Sequence, residues 1–465
     1  MADRPPHVLV FMSDEHCPQV MGCSGDELVH TPNMDRLAAA GTIFDRAYCN
    51  NPICVPGRYS ILTGKLPREI GATQFSHGLD PTQRTYARHF AEAGYQTTCV
   101  GKMHFQGLEQ MHGWMFRPYG DMEVFSHRKL PGFKHDPYHD AKPPHRSLSD
   151  WVRDARPGMD GFIQFDEGVT ATARVTLMDY FRHLIHMHYS PDRPLLLQVS
   201  WKTPHWPFIA PPEYYQYYRP RIGLPRIPGP GREHEHPWMK HKHMWELPCE
   251  NTEEQILNAR AAYWALVQYT DHQIGLVLDV LDELGLLDEF LIVYHADHGE
   301  LAGNHGSWGK GCFYEHSVRV PLILSWPGHI PAGQRVDENV TLLDLFPTLC
   351  DYVGLDAPDG IRGESLRPLI EGARGAAEHF RGRVNFAEFY NAGRDPMVMA
   401  LRDQIKVNVY DKDGPPELYD MAEDPDELVN RADDPAYADV RRELEAEIAA
   451  LPQPYVWDEP GQSQR

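Results

Sequence analysis

The feature that most constrains the fold is a series of short apolar runs separated by segments with helical spacing. Four of these runs are rich in strand-forming residues and occupy positions 7–12, 95–100, 194–201 and 290–294. The clearest helix begins at the capping box Thr252-Glu253-Glu254-Gln255 and continues with apolar residues at helical spacing as far as Leu281. Strands that alternate with helices predict an α/β domain.

The pattern changes beyond about residue 375. Three strand-like runs follow closely on one another at 384–390, 397–402 and 404–410, and a helical segment covers 437–450. Closely spaced strands favour antiparallel pairing. The length of 465 residues accommodates a large α/β catalytic domain, 1–375, and a smaller C-terminal α+β subdomain, 376–465, that carries an antiparallel sheet.

Charge and composition limit the partners. The formal net charge of −22 argues against nucleic acid or an anionic membrane surface as a ligand. No run approaches the roughly 18 apolar residues of a membrane span, and the first residues lack a signal-peptide core. The eight cysteines show no zinc-binding spacing and are consistent with reduced thiols. The sequence therefore predicts a cytoplasmic protein, and it leaves a homo-oligomer open.

Polar side chains follow each of the four predicted strands. In open α/β sheets the carboxyl ends of the strands line the ligand crevice, so these side chains are expected to meet there. They are Asp14 and Glu15, Lys102 and His104, His205, and Asp297 and His298. Carboxylates with an imidazole suit a divalent metal. A basic set suits a tetrahedral oxyanion, and its members are Arg58, Lys102, His104, His205 and Lys310.

Cys54 lies in the sequence Cys-Val-Pro-Gly-Arg. Pro56 suits the first turn of a helix, so the thiol is predicted at a helix N-terminus, where anions are favoured. Arg58, about one turn further on, adds a positive charge beside the same sulfur.

The Cys-x-Pro-x-Arg element, followed by Leu62-Thr63-Gly64, resembles the signature of the sulfatases, a family of the alkaline phosphatase superfamily. Three further motifs of that family have counterparts here. They are Gly101-Lys102-x-His104, Pro204-His205-x-Pro207, and Gly309-Lys310 with Tyr314-Glu315. The resemblance implies an alkaline-phosphatase-like fold, with a central mixed sheet flanked by helices.

The resemblance also implies a metal-dependent sulfatase that hydrolyses a small sulfate ester. Cys54 would be converted to formylglycine by a formylglycine-generating enzyme, and the aldehyde hydrate would attack sulfur while Arg58 holds it. Lys102, His205 and Lys310 would bind the sulfate, and His104 would deprotonate the second hydroxyl. The implied metal ligands are Asp14, Glu15, Cys54, Asp297 and His298. One divalent cation is expected, with Ca²⁺ favoured and Mn²⁺ or Mg²⁺ as alternatives.

Two residues depart from the family pattern. Glu15 stands where Asp or Gln is frequent, and His298 replaces an Asn as in branches that hydrolyse phosphonates or phosphodiesters. Those branches tend to lack the lysine of Gly-Lys-x-His, so Lys102 favours sulfate. A phosphonate monoester or phosphodiester hydrolase remains the alternative function. A non-catalytic protein that binds sulfated ligands through an unmodified Cys54 is the second alternative.

The alcohol half of the substrate is not determined by these motifs. Aromatic residues of two irregular blocks could line the mouth and suit an aryl or a quaternary ammonium group, namely Trp114, Trp206, Tyr214, Tyr215 and Trp238. A His-rich stretch at 233–243 is interpreted as a solvated loop rather than a second metal site.

Overall fold

A computed structural model describes residues 5–75, 77–107, 109–121, 147–182, 193–227, 229, 236, 251–390, 396–410 and 414–456. Its central element is an eight-stranded mixed sheet with the strand order β12-β2-β11-β9-β1-β7-β4-β5. The strands of this sheet are β1 (His7–Asp14), β2 (Thr42–Phe44), β4 (Gln96–Gly101), β5 (Phe116–Tyr119), β7 (Leu195–Pro204), β9 (Phe290–Ala296), β11 (Leu322–Ser325) and β12 (Gln334–Val336). The four strands at the centre, β9, β1, β7 and β4, are mutually parallel.

Helices cover both faces of this sheet. The helices of the first 230 residues are α1 (Pro32–Ala39), α2 (Cys54–Thr63), α3 (Pro67–Ile70), α4 (Tyr86–Glu92), α5 (Leu148–Arg153), α6 (Gly161–Arg182) and α7 (Pro212–Tyr218). The later helices are α8 (Glu253–Leu284), α9 (Glu315–Val318), α10 (Leu345–Tyr352), α11 (Arg367–Ile370), α12 (Ala376–Gly382) and α13 (Ala438–Ala449). Among the described residues, no helix is both long and apolar enough to cross a membrane.

Side chains that alternate along β1 contribute to two hydrophobic cores, one on each face of the central sheet. Val8, Val10 and Met12 point into the core shared with α2, α4 and α10, and Leu9 and Phe11 point into the core shared with α6 and α8. All five side chains are completely buried. Burial on both faces accounts for the uninterrupted apolar run of the sequence, because neither face of this strand meets water.

A second sheet follows in the C-terminal part of the chain. Its four antiparallel strands are β14 (Asn385–Phe389), β15 (Met397–Arg402), β16 (Ile405–Val409) and β17 (Glu417–Asp420). Helix α13 packs on it through Leu444, against Val398 and Val407. The described residues also form two minor sheets, one of β10 (Arg319–Val320), β3 (Ala47–Tyr48) and β13 (Val340–Thr341) and one of β6 (Arg156–Pro157) and β8 (Ile209–Ala210).

The structure confirms the predicted fold class, with helices around a central sheet and an antiparallel sheet near the C-terminus. The capping box is present, since the Thr252 and Gln255 side chains each accept a hydrogen bond from the other residue's backbone N–H. The first irregular block of the sequence, 106–165, also contains regular elements, because β5 pairs with β4 and α5 and the start of α6 lie there. Those elements are short or amphipathic and gave no clear period. Apart from His236, the His-rich stretch lies outside the described residues.

Candidate active site

The register of the central strands brings the predicted polar residues to one edge of the sheet. Met12 of β1 pairs with His295 of β9 and with Ser200 of β7, and Ser200 pairs with Gly101 of β4. Asp14, Asp297 and Lys102 therefore lie one or two residues beyond these paired positions, at the carboxyl ends of their strands. This parallel register produces the expected crevice.

Cys54 is the first residue of α2, and its side chain is buried. Gly57 permits this placement, because a Cβ at that position would lie 2.8 Å from the backbone oxygen of Asn51 and 3.6 Å from that of Asp297. The close approach of the helix to the end of β9 directs the Cys54 sulfur toward the crevice. The prediction of a helix N-terminus at Cys54 is confirmed.

The Arg58 guanidinium organises the floor of the crevice. It is fully buried and donates to Asp297 Oδ2 (2.7 Å) and Asp14 Oδ2 (2.8 Å), and also to Ser200 Oγ (2.9 Å) and to the backbone oxygen of Lys102. Burial lowers the pKa of Arg58, but the charges of Asp297 and Asp14 outweigh it and hold the pKa above its usual range. One rigid cation thus fixes the ends of all four central strands.

Four potential metal ligands surround the Cys54 sulfur. Donor atoms of Asp14, Cys54, Asp297 and His298 lie within 4.8 Å of one another, and all four residues are buried. The sulfur is 3.2 Å from His298 Nε2 and 3.7 Å from Asp14 Oδ1. The Oδ2 atoms of Asp14 and Asp297 accept from Arg58, and their Oδ1 atoms face His298 Nε2.

The tautomer of His298 fits a metal ligand. His298 Nδ1 donates to the backbone oxygen of Gly299 (3.1 Å), so Nε2 presents a lone pair to the cluster. Burial lowers the pKa of His298 despite the charge of Asp297, and this keeps the ring neutral. Two buried carboxylates and a neutral imidazole are a suitable donor set for a divalent cation.

Two lysines also lie beside the sulfur. Lys310 Nζ is 3.5 Å from Cys54 Sγ, and Lys102 Nζ is 4.0 Å from it. Lys102 also pairs with Asp14, and burial of Asp14 is outweighed by the charges of Lys102 and Arg58, which hold its pKa well below the usual range. Residue 54 is therefore surrounded by both carboxylates and cations.

Glu15 lies beside two basic side chains. Its carboxylate contacts Lys310 Nζ (2.8 Å) and His205 Nε2 (3.1 Å), and with Asp14 and His205 it forms a second group of potential metal ligands next to the four donors around Cys54. Its backbone N–H donates to Asp297 Oδ1 (3.2 Å) at a φ of 63°, a conformation that non-glycine residues adopt rarely. Burial raises the pKa of Glu15, and burial with the charge of Lys310 lowers that of His205.

Comparison with known proteins now identifies the family. The family model described as "Sulfatase" matches residues 6–355, three quarters of the chain. The chain belongs to the sulfatase family. A second model, described as "N-sulphoglucosamine sulphohydrolase, C-terminal", matches residues 303–453.

Relatives of this sulfatase-family chain match over most of their length. It is 27% identical to an arylsulfatase of Clostridium perfringens, covering 91% of this chain and 90% of the relative. It is 29% identical to a choline-sulfatase of Rhizobium meliloti, covering 94% and 84%. Among solved structures it is similar to the phosphonate monoester hydrolase of Agrobacterium radiobacter, with a TM-score of 0.74, 26% identity and coverage of 96% and 95%.

The remaining motif histidine of the sulfatase, His104, lies two residues beyond Lys102. Its φ is 60°, its backbone N–H donates to the Asp121 carboxylate, and its ring packs edge-on against Phe75 at 4.7 Å. Arg117 pairs with the same carboxylate at 2.9 Å. An Asp121–Arg117 pair thus holds the backbone of this residue in place.

Three supporting residues escaped the sequence analysis. Ser200 accepts a hydrogen bond from Arg58, and Asp166 of α6 accepts the backbone N–H groups of Lys202 and Thr203, which lead into His205. Glu300 accepts the N–H groups of Ala302 and Gly309 and so closes the loop that carries Lys310. Glu300 follows the apolar run 290–294 just after Asp297 and His298, which was a usable signal. Ser200 lies inside the run 194–201 and Asp166 lies in α6, so neither carried such a signal.

The aromatic residues expected at the mouth separate into two groups. Trp114 and Tyr215 are buried in the cores, with exposed fractions of 2% and 7%, whereas Trp206 and Tyr214 are partly exposed. Trp114 packs edge-on against Tyr86, so it does not line the mouth. Trp238 lies outside the described residues.

Proposed function

We propose that this sulfatase-family hydrolase cleaves a small sulfate ester, with residue 54 as the nucleophile. The observation that carries the proposal is the pair of lysines at residue 54, with Nζ atoms 3.5 and 4.0 Å from Cys54 Sγ, in a chain whose net charge is −22. Two buried cations at one sulfur in a strongly acidic protein provide local attraction for an oxyanion. The arylsulfatase and choline-sulfatase relatives support the same reaction class.

In this proposal residue 54 acts as formylglycine, formed from Cys54 during maturation by a formylglycine-generating enzyme that supplies the oxidant. The hydrate of that aldehyde provides a hydroxyl nucleophile. Asp14, Asp297, His298 and residue 54 would hold one divalent cation, and Glu15 stays a further candidate ligand through Oε1, because its contacts to Lys310 and His205 both use Oε2. When bound, the cation would lower the pKa of the hydroxyl and offset the charge of the sulfate oxygens.

The remaining roles are assigned to the chain's own residues. Arg58 orients Asp14 and Asp297, and Lys102 and Lys310 bind the sulfate oxygens. Burial lowers the pKa of Lys310, but the charges of Cys54, Glu15 and Asp14 outweigh it and hold it above the usual range. The two carboxylates remain after Cys54 is converted, so Lys310 carries a proton. His205 donates from Nδ1 to the Trp206 backbone oxygen and is kept neutral, so Lys310 is the better proton donor to the departing oxygen.

The cation is proposed as Ca²⁺, because oxygen ligands from carboxylates dominate the set. The imidazole of His298 keeps Mn²⁺ and Mg²⁺ as alternatives. Metal analysis of protein purified without chelator would decide among the three.

Phosphonate monoester or phosphodiester hydrolysis is the second candidate. It is supported by the similarity to the Agrobacterium radiobacter hydrolase and by His298 at the metal cluster. Lys102 favours sulfate, because the branches that hydrolyse phosphonates or phosphodiesters tend to lack the lysine of Gly-Lys-x-His.

The test compares an aryl sulfate with an aryl phosphonate on wild type and Lys102→Ala. The substitution should lower kcat/KM for the sulfate by roughly 10²–10³, the scale for one preorganised electrostatic donor, and should affect the phosphonate less. A wild type that prefers the phosphonate, together with a variant that loses both activities equally, would select the second candidate.

A further inference from the structure

Three partly exposed aromatic side chains lie beside His205. The Trp206 ring is 4.6 Å from the His205 ring, the Phe162 ring is 6.0 Å from it, and the Trp151 ring is 5.6 Å from Trp206. These rings come from three elements, since Trp151 belongs to α5, Phe162 to α6 and Trp206 to the segment after β7. We call Trp151, Phe162 and Trp206 the aromatic wall.

The aromatic wall adjoins the catalytic crevice. One end of α5 reaches the loop of Lys310, because a Cβ on Gly309 would lie 3.0 Å from Leu148 Cδ2 and 3.7 Å from Glu15 Oε1. The Trp206 segment is anchored at its other side, where Phe208 packs on Trp308 at 5.0 Å. A substrate whose sulfate contacts Lys310 and His205 would therefore extend its alcohol half along the wall.

The buried charge of Lys202 bears on whether the wall favours a cationic or an uncharged alcohol group. Lys202 Nζ is buried 4.3 Å from the centroid of Phe162 and 5.7 Å from that of Phe165. A cation on one side of a ring weakens the attraction of that ring for a second cation. The neighbouring acids Asp150 and Asp160 accept backbone N–H groups at the starts of α5 and α6.

We infer that the aromatic wall binds an uncharged aryl group, so that the substrate is a phenolic sulfate ester rather than the ester of a quaternary ammonium alcohol. This inference rests on the proposed function. The negative charge that develops on the departing phenolic oxygen delocalises into the aryl ring, and Phe162, which Lys202 polarises, accommodates an electron-rich ring.

The test measures kcat and KM of wild type and Trp206→Ala for three substrates, 4-nitrophenyl sulfate, methyl sulfate and choline sulfate. Trp206→Ala keeps the backbone oxygen that accepts from His205 Nδ1, so the imidazole retains this hydrogen bond. We expect kcat/KM for the aryl ester to fall by about 10- to 30-fold, mainly through KM, from the lost stacking and apolar contact. For methyl sulfate the fall should stay below about 3-fold, because methyl sulfate has no ring to stack.

Trp151→Ala tests the wall from a second element, α5. It should lower kcat/KM for the aryl ester by less than Trp206→Ala does and should leave methyl sulfate unaffected. Trp326→Ala is the matched control, since Trp326 follows β11 at the opposite end of the sheet and stacks on His329. The control should leave kcat/KM unchanged for both the aryl ester and methyl sulfate.

Equal losses on the aryl and methyl esters would overturn the aromatic wall as a binding surface while leaving sulfate hydrolysis intact. A wild type that prefers choline sulfate, with Trp206→Ala reducing that activity most, would replace the aryl group by a quaternary ammonium. A wild type that hydrolyses none of the three esters would reject the proposed function as well.

Discussion

Replacing Lys406 with methionine should destabilise the protein strongly and in a pH-dependent way. Lys406 of β16 is fully buried, and its ammonium contacts Glu315 Oε1 (2.5 Å), Glu427 Oε1 (2.8 Å) and the backbone oxygen of Phe313 (3.1 Å). Glu427 also accepts the backbone N–H of Glu315 at 2.7 Å. The C-terminal sheet is thereby tied to the segment that follows Lys310.

The magnitude follows from two carboxylates left without their cation. At an effective dielectric constant of about 20, each contact near 3 Å provides about 5–6 kcal/mol of attraction, most of which offsets the cost of burying the lysine. Removing one partner of a buried ion pair costs about 3–5 kcal/mol, because the remaining charge is neither solvated nor paired. We expect Lys406→Met to reduce the free energy of unfolding by about that amount.

The pH dependence provides a signature that lost packing would not produce. Burial raises the pKa of Glu427 to about 7 from a usual 4.5. The charge of Lys406 opposes this rise, and the charge of Glu315 adds to it. The folded state therefore binds more protons than the unfolded state between about pH 4.5 and 7, and stability falls as the pH rises through this window. Without Lys406 the pKa rises further, so the deficit of the variant should be largest near pH 8 and shrink toward pH 5.

The assay is urea unfolding of wild type, Lys406→Met and Lys406→Met/Glu427→Gln at pH 5 and pH 8, followed by circular dichroism. The double variant should recover about 1–3 kcal/mol at pH 8, because one of the two uncompensated charges is gone. Lys65→Met is the control, since Lys65 is only partly buried and its ammonium is 3.4 Å from Gln83. A deficit below about 1 kcal/mol, or one that is equal at the two pH values, would refute the reasoning.

Three further predictions concern the crevice and the long helix. Peptide mass spectrometry of active protein should show an aldehyde in place of the Cys54 thiol; full activity with an intact thiol would reject this nucleophile. Asp297→Asn, which keeps an acceptor for Arg58, should lower both bound divalent metal, measured by elemental analysis, and turnover, and a normal metal content would place the metal elsewhere. Thr252→Ala should cost about 1 kcal/mol in urea unfolding through loss of the α8 cap, with turnover retained, and an unchanged midpoint would contradict the role of the cap.

The sequence alone determined the features that depend on neighbouring residues. The β1 run, the capped start of α8 and the turn at Cys54 each arise from propensities and caps within a few positions, and the structure has all three. The α/β class followed from the order of such segments, and the motif residues could be placed at strand ends because parallel strands share one carboxyl edge. Their number and chemistry were enough to predict one crevice that collects carboxylates for a metal and cations for an oxyanion.

Tertiary structure alone decided which groups meet within that crevice. Glu15 was predicted among the metal ligands, and this stays a prediction; in the structure its carboxylate contacts Lys310 and His205, and with Asp14 and His205 it forms a second group of potential metal ligands. Trp151 joins Trp206 across 55 positions, and Lys406 joins Glu315 across 91. Contacts between such distant positions leave no local period or spacing, because they depend on how whole elements pack.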